Sequence, residues 1–424
     1  MNNLLPCLSC VYDCKIRDEL EAIWHGRVVP ASDDAEFRNL VHTFVSTLSD
    51  MVKDGNISTP EQLGEALAAL FDLCVSLEYA KLAADIHWVY CPPSNKCEPA
   101  VLFYPYVRAC PRCARLGRKV LLKQSHKPGS GTIGHIAAKT LSAMLAALVE
   151  KTNRQWQIYQ MKRQILDVDT LLVSSESIAL CEVKASPLVA FPLAILLPQE
   201  LQRRGQNDRL ENISEHVITT LPLDREISLY IPNDNPILLK LGKRKERGFP
   251  IRKFTKSYAQ DKDTLWSVIQ FWRRLYHAYR HKWAQSDDDS LRWLTFGCGG
   301  QVDDSKNLPG IDRTDDIKKG VYQVLKLGEH FAKRCAKKAV KIVLCGNIHA
   351  ARHHQDYLSG LEDITWTYEQ HLMDAGDPDW KKVRAADLVR LYDAVFTFTQ
   401  PHFRDRSLSD GFGLEALLDR LGET

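Results

Sequence analysis

The spacing of apolar residues predicts that the chain begins with helices. Residues 34–51 and 60–77 carry apolar side chains three and four positions apart, and an Asp-Gly-Asn turn at 54–56 separates them. A third helix is predicted over 132–156, where Ile and Leu residues form one broad apolar face. Residues 1–88 are therefore predicted to form a mostly helical N-terminal region.

Farther along, short apolar or β-branched runs bounded by turn-forming residues predict strands. Segments with helical spacing stand between these runs, so the chain is predicted to belong to the α/β (α+β) class. The predicted strands are Gln164–Val173, Ile178–Ala185, Glu226–Ile231 and Lys341–Cys345, and the later helices are Thr264–Trp283 and Thr314–Arg334.

Composition narrows the class of protein. The 424 residues are 45% hydrophobic and 26% charged, which argues against a disordered or coiled-coil chain. The 56 Lys and Arg residues nearly balance the 53 Asp and Glu residues, so basic character that attracts a polyanion must be local. No apolar run reaches the ~20 residues of a membrane-spanning helix, and the first residues lack a signal-peptide pattern. We therefore expect a cytoplasmic protein with reduced cysteines and no membrane partner.

Four charged residues stand on the predicted strands Gln164–Val173 and Ile178–Ala185, which a serine-rich turn at 174–177 joins. Side chains alternate between the faces of a strand, so Asp167 and Asp169 share one face, and Glu182 and Lys184 share one face. If residues 175–176 form a two-residue hairpin loop, Asp169 lies opposite Glu182 and Asp167 opposite Lys184. Directly opposed residues have Cβ atoms about 4.5–5.5 Å apart.

Two carboxylates held at this spacing repel each other, so their ionised forms need a compensating positive charge. A divalent cation with oxygen ligands supplies that charge, and Mg²⁺ commonly binds one or two carboxylates together with water and a substrate phosphate. A neighbouring lysine can orient or deprotonate an attacking water. The residue pattern therefore points to hydrolysis of a phosphodiester.

The pattern resembles the PD-(D/E)xK nuclease superfamily, which includes most type II restriction endonucleases. The resemblance covers about 20 residues, with an Asp at the end of one strand and Glu-x-Lys on the apolar strand after the turn. It implies that Asp169 and Glu182 bind Mg²⁺ and that Lys184 is the catalytic lysine. Val168 stands where the family's namesake proline would precede Asp169, so Asp167 stays an alternative candidate.

The same resemblance implies a restriction-endonuclease-like core with a mixed central sheet flanked by helices. The helix over 132–156 would come first, then the antiparallel strands with the motif. The helix Thr314–Arg334 would be the crossover helix and Lys341–Cys345 the last strand. Some members carry a Glu on the first helix, so Glu150 is a further candidate metal ligand; the alternative is a solvated helix carboxylate.

A group of cysteines precedes this core. Cys91 and Cys97 form a C-x5-C pair, and Cys110 and Cys113 form a C-x2-C pair. Two such knuckles suit a tetrahedral structural Zn²⁺ site with four thiolates. The alternatives are four ordinary reduced cysteines or an iron–sulfur cluster with the same ligands.

Two segments concentrate basic residues. One lies beside the second cysteine pair and the other, Lys240–Lys256, lies in the predicted insertion as a flexible loop. Lys and Arg in such segments suit contacts with DNA phosphates or bases, and the alternative is a solvated basic face. The candidate DNA-binding residues are Arg112, Arg115, Arg118, Lys119, Lys243, Arg244, Lys245, Arg247, Arg252 and Lys253.

These observations lead to one function hypothesis and two alternatives. The leading hypothesis is a Mg²⁺-dependent type II restriction endonuclease that cuts double-stranded DNA as a homodimer and is paired functionally with a DNA methyltransferase. The alternatives are a non-catalytic zinc-containing DNA-binding protein and a repair or recombination nuclease of the same superfamily. The predicted regions are the helical segment 1–88, a zinc module 89–130, a catalytic core 131–350 with an insertion at about 200–300, and a C-terminal region 351–424.

Overall fold

The helices predicted from apolar spacing are present in the structure, a computed structural model. It describes residues 14–84, 88–93, 98–107, 109–118, 120, 126–152, 155–197, 218–219, 225–233, 235–282, 292, 294–295, 308–332, 339–360, 366–367, 373–374, 377–378 and 388–423. The helices of these residues are α1 (Cys14–His25), α2 (Ala35–Lys53), α3 (Pro60–Leu82), α4 (Pro111–Arg115), α5 (Ser130–Thr152), α6 (Ile251–Ser257), α7 (Lys262–Arg280), α8 (Thr314–Ala332), α9 (His354–Tyr357), α10 (Arg406–Phe412) and α11 (Leu414–Glu423).

Most strands belong to two sheets. The strands of the described residues are β1 (Arg27–Val28), β2 (Trp88–Cys91), β3 (Val101–Phe103), β4 (Gln157–Ile165), β5 (Val168–Val173), β6 (Ile178–Val183), β7 (Leu193–Leu196), β8 (Ile218–Thr219), β9 (Glu226–Ile231), β10 (Ile237–Lys243), β11 (Val340–Gly346), β12 (Trp366–Thr367), β13 (Met373–Asp374), β14 (Asp377–Pro378), β15 (Leu388–Val389), β16 (Ala394–Thr397) and β17 (His402–Phe403). Together with the helices they confirm the mixed α/β class.

The central sheet has seven strands in the order β1-β4-β5-β6-β11-β16-β17. The strands from β4 to β6 are antiparallel, whereas β11 is parallel to both β6 and β16. Helix α8 precedes β11 and packs on it, as expected for a crossover between parallel strands. The chain therefore has a helix, three antiparallel strands, a crossover helix and a parallel strand in that order.

A second, antiparallel sheet has the strand order β10-β9-β7-β3-β2-β8. Strands β2 and β3 come from the predicted zinc module, whereas β9 and β10 come from the predicted insertion. Strand β7, which follows the β5–β6 hairpin, lies between them and pairs with both β3 and β9. These two segments thus build one sheet, and β7 connects it to strand β6 of the central sheet.

The helices α2, α3 and α5 pack in one apolar core, where side chains of α3 such as Phe71 and Leu73 are fully buried. Of the described helices, only α5 is apolar and long enough to span a membrane by length and composition, and 61% of that stretch is buried inside the fold. Buried Asp72 accepts hydrogen bonds from the Val189 N–H (3.0 Å) and the Trp272 indole (2.7 Å). It therefore links α3 to α7 and to the segment after β6.

Asp34 joins three of these helices. Its carboxylate caps α2 by accepting from the Phe37 N–H at 3.0 Å. It also accepts from Lys81 of α3 at 2.8 Å and from Lys139 of α5 at 3.0 Å. Burial alone would raise the pKa of Asp34, but the bonds from Lys81, Phe37 and Lys139 bring it down to about 2.

Asp34→Asn is expected to reduce stability in a pH-dependent way, because asparagine keeps the cap but loses the charge. Because the pKa of Asp34 is lower in the folded protein than in the unfolded chain (~4), the charged carboxylate stabilises the fold above about pH 4. This stabilisation is lost as the pH falls toward the folded-state pKa of about 2. After allowance for solvent screening, the loss at neutral pH should be about 1–2 kcal/mol. Melting curves of both proteins between pH 3 and 7 test this. An equal difference in Tm at every pH would contradict it.

Candidate active site

The hairpin of β5 and β6 has the predicted register. Val173 pairs with Ile178, and Thr170 pairs with Cys181, so the next position places Asp169 opposite Glu182. The Ser174 N–H donates to the Ser177 carbonyl at 2.9 Å and closes the turn around the two central residues. The sequence could specify this register because turn chemistry and a period of two fix it together.

Asp169, Glu182 and Lys184 meet at the open end of this hairpin. Asp169 Oδ2 accepts from the Val183 N–H at 2.9 Å, which holds the aspartate against the neighbouring strand. Lys184 Nζ forms an ion pair with Glu182 Oε1. The Glu182 side chain is fully buried, whereas 17% of the Lys184 side chain is exposed. The three predicted side chains are thus brought together, with the lysine toward solvent.

Burial governs the electrostatics of the carboxyl pair. Burial and then the charge of Asp169 raise the pKa of Glu182 to about 7, although Lys184 opposes this. Burial also raises the pKa of Asp169. Glu182 Oε2 is buried without a hydrogen-bond partner among the described residues. Two close carboxyl groups with one unpartnered buried oxygen suit a hard divalent cation, which would offset their repulsion.

Asp167 lies outside β5 and is therefore not a strand partner of Lys184, which corrects the predicted pairing, although the charge of Lys184 still acts on its carboxylate. It stands in the turn between β4 and β5, where Leu166 and Asp167 have φ values of 52° and 61°. Its carboxylate accepts from Gln323 at 3.2 Å and from Lys326 at 2.9 Å, and the bond from Lys326 lowers the pKa of Asp167. Asp167 therefore ties the hairpin to α8.

Glu150 is not part of the carboxylate cluster, so its candidate role as a metal ligand is not supported. Its side chain is 70% exposed and lies 3.6 Å from His42 Nδ1. Helix α5 meets β5 where Ser142 Oγ bonds Thr170 Oγ1 at 2.7 Å. Glu150 stands eight residues beyond Ser142, about 12 Å along the helix axis and toward the end that leads into β4.

Helix α8 packs closely against Lys184 at Gly320. A Cβ at Gly320 would lie 2.8 Å from Leu344 Cδ1 and 3.1 Å from Lys184 Cγ, so only glycine allows this approach. Just beyond Lys184, the Asn347 side chain exchanges two hydrogen bonds with the Ser186 backbone, at 2.8 and 3.2 Å. These contacts fix the carboxyl ends of β6 and β11 beside each other.

A cavity of about 600 Å³ opens beside Lys184. The start of α5, the start of α8 and the segment after β6 line it. Its basic side chains are Lys127, Lys184, Arg313 and Lys319, against the single carboxylate of Asp316. Sequence reasoning did not single out Arg313 or Lys319. One signal in the sequence could have found them: both are basic residues near the N-terminus of a predicted helix, where acidic residues are favoured.

Three of the four predicted zinc ligands form a buried cluster. One ligand atom from each of Cys91, Cys110 and Cys113 lies within 4.8 Å of the other two. Tetrahedral thiolates at ~2.3 Å from Zn²⁺ stand about 3.8 Å apart, which is compatible with this grouping. Burial raises the pKa of Cys110 well above the usual range, as expected for a thiol without a cation. Cys97 lies outside the described residues.

Arg112 belongs to this cluster rather than to an exposed basic face. Its side chain is buried and donates to the carbonyls of Pro92 at 3.1 Å and Pro99 at 2.8 Å. The prediction that Arg112 contacts DNA therefore does not fit its position. Arg115 is partly buried and Arg118 is exposed, whereas Lys119 lies outside the described residues.

The second basic segment is structured rather than a flexible loop, which corrects that expectation. It comprises the end of β10, a turn and α6, and Phe254 anchors α6 in the core. Lys253 forms an ion pair with Glu226, and Arg244 is partly buried. Of the candidate DNA-binding residues in this segment, the exposed ones are Lys243, Lys245, Arg247 and Arg252.

Comparison with family models, curated proteins and solved structures finds no match to this chain. Function must therefore be argued from the site itself.

Proposed function

We propose that the protein is a Mg²⁺-dependent endonuclease of the restriction type, which hydrolyses phosphodiester bonds in double-stranded DNA. The observation that carries this proposal is the cluster of Asp169, Glu182 and Lys184 at the edge of a basic cavity. The order of α5, three antiparallel strands, α8 and β11 supports a restriction-endonuclease-like core. Cleavage of both strands at one site needs two such centres, so a homodimer is expected.

Each residue of the cluster has a role in this proposal. Asp169 and Glu182 would hold Mg²⁺, which supplies Lewis-acid stabilisation of charge on the phosphate when bound. The ion pair with Glu182 holds Lys184 beside the carboxyl pair, where its amine would orient the attacking water and take part in proton transfer. The backbone bond from Val183 keeps Asp169 directed toward this position.

Incubation of unmethylated plasmid DNA with the protein and Mg²⁺ tests the proposal. Discrete fragments are expected from a restriction enzyme, and protection by a partnering methyltransferase would follow. Ladders, smears or digestion from ends would instead indicate a repair or recombination nuclease. Intact DNA across duplex, single-stranded and flap substrates would overturn the proposal, and binding without cleavage would favour a non-catalytic DNA-binding protein.

We further propose that the cysteine cluster holds a structural Zn²⁺. The three buried thiols and the Arg112 bonds to the neighbouring carbonyls support it. Such a site would hold the end of β2 against α4. Cys97 is the expected fourth ligand.

A further inference from the structure

Among the described residues, the lining of the cavity beside Lys184 has more basic than acidic side chains. Arg313 Nη1 lies 3.4 Å from Asp316, which uses the only carboxylate in the lining. Arg313 Nε is buried without a hydrogen-bond partner among the described residues. Lys184 is paired with Glu182, whereas the structure gives Lys319 no ion pair with a described residue. An anion of the substrate would supply the missing negative charge.

The start of α5 carries glycines that neither packing nor backbone conformation requires. A Cβ at Gly129, Gly131 or Gly134 would meet no other atom within 4 Å, and none of the three has a positive φ. Gly129 and Gly134 line the cavity. Gly129 precedes α5, where glycine is well tolerated, but glycine inside the helix at 131 and 134 is unfavourable relative to alanine, so another reason for its presence there is needed. Bare backbone allows a ligand to approach the free N–H groups of the first turn closely.

We propose that this cavity binds one backbone phosphate of the nucleic-acid strand, adjacent to the phosphate that is cut. Arg313 and Lys319 would pair with its oxygens, and the first turn of α5 would donate backbone N–H groups. The inference rests on the proposed nuclease function, because the cavity adjoins Lys184. It assigns Arg313 and Lys319 a positioning role: they would fix where the strand lies relative to Asp169 and Glu182.

The salt dependence of DNA binding tests this assignment. A fluorescent duplex is titrated with the full chain without added Mg²⁺, so that no cleavage is expected, between about 50 and 200 mM salt. Arg313→Ala/Lys319→Ala is expected to reduce the slope of log affinity against log salt by about one, because the contacts with one phosphate are lost. Lys318→Ala is the matched control, since Lys318 lies on the same helix but over the Tyr357 ring at 5.3 Å, and its slope should stay that of the wild type.

Gly134→Ala gives an independent readout. The added methyl group would occupy the cavity without touching the rest of the protein, so Tm should stay the same or rise. DNA affinity should nevertheless fall severalfold. A merely structural glycine would show the opposite, with Tm falling and affinity unchanged.

The possible results distinguish a failure of the phosphate site from a failure of the proposed nuclease function. If the wild type cleaves DNA while the double variant and Gly134→Ala bind with unchanged slope and affinity, the phosphate site is wrong and the nuclease stands. If no cleavage occurs but the slope falls by about one, the phosphate site stands without the nuclease. Inorganic phosphate is titrated in parallel. Stabilisation by phosphate that needs Arg313 and Lys319, without any DNA binding, would overturn the assignment to nucleic acid.

Discussion

Lys184→Ala is expected to lower the rate of DNA cleavage by about 10²–10⁴-fold, the usual loss when a group that positions or transfers a proton is removed. The lysine reaches the carboxyl pair from its more exposed side, so its removal should leave the hairpin intact. Cleavage by the wild type and the variant is compared under single-turnover conditions at saturating Mg²⁺.

Glu182→Gln tests the metal ligand separately. The amide has the same shape but no charge, so Mg²⁺ affinity in isothermal titration and cleavage should both fall sharply. The Tm should stay the same or rise, because a buried carboxylate without full hydrogen bonding is costly to the fold. Glu176→Gln is the matched control, since Glu176 is exposed at the tip of the same hairpin. Wild-type cleavage by Lys184→Ala, or unchanged Mg²⁺ affinity in Glu182→Gln, would contradict the assignment.

Cys110→Ser is expected to remove one equivalent of Zn²⁺ and to destabilise the protein. A lost structural metal costs several kcal/mol, and each kcal/mol shifts Tm by roughly 2–4 °C, so a fall on the order of 10 °C is expected. Among the described residues, these three cysteines are the only group of three potential metal ligands that lie close together. They connect the end of β2 to α4, so loss of the metal should weaken this connection.

Metal content by elemental analysis and Tm by calorimetry measure this effect. Cys74→Ala is the control, since Cys74 is equally buried but lies in α3, away from the cluster. It should retain the metal. Cys97→Ser tests whether Cys97 is the fourth Zn²⁺ ligand. A wild-type protein purified without metal, and unaffected in Tm by added Zn²⁺ or by chelators, would show that the cysteines are ordinary reduced thiols.

Local patterns in the sequence were sufficient to predict much of the site. The strand at 226–231 and the helices α2, α7 and α8 lie where periodicity places them, because their apolar faces are continuous. The opposition of Asp169 and Glu182 followed from turn length alone. These features depend on neighbours in the sequence, which is why they could be predicted.

The predictions that were wrong have a different cause. The turn between β4 and β5 has Leu166 and Asp167 in the left-handed region, where glycine or asparagine normally signals a turn. Without that signal, β4 was not separated from β5, and Asp167 was assigned to a strand. The prediction for Arg112 was wrong because charge can be counted in a sequence but burial cannot, whereas Glu150 is the solvated helix carboxylate that was the alternative to a metal ligand. The second sheet pairs strands that are far apart in the chain, which local patterns do not encode.

The pairing of β6 with β11 has a consequence for synthesis of the chain. Ile178 of β6 pairs with Val340 of β11, so one edge of β6 has no partner until the ribosome has made everything between them. At about 5–20 residues per second, that interval is on the order of 10–30 s. During it, an apolar strand edge is open to other nascent chains. Premature termination before β11 should therefore yield aggregates rather than a smaller folded product.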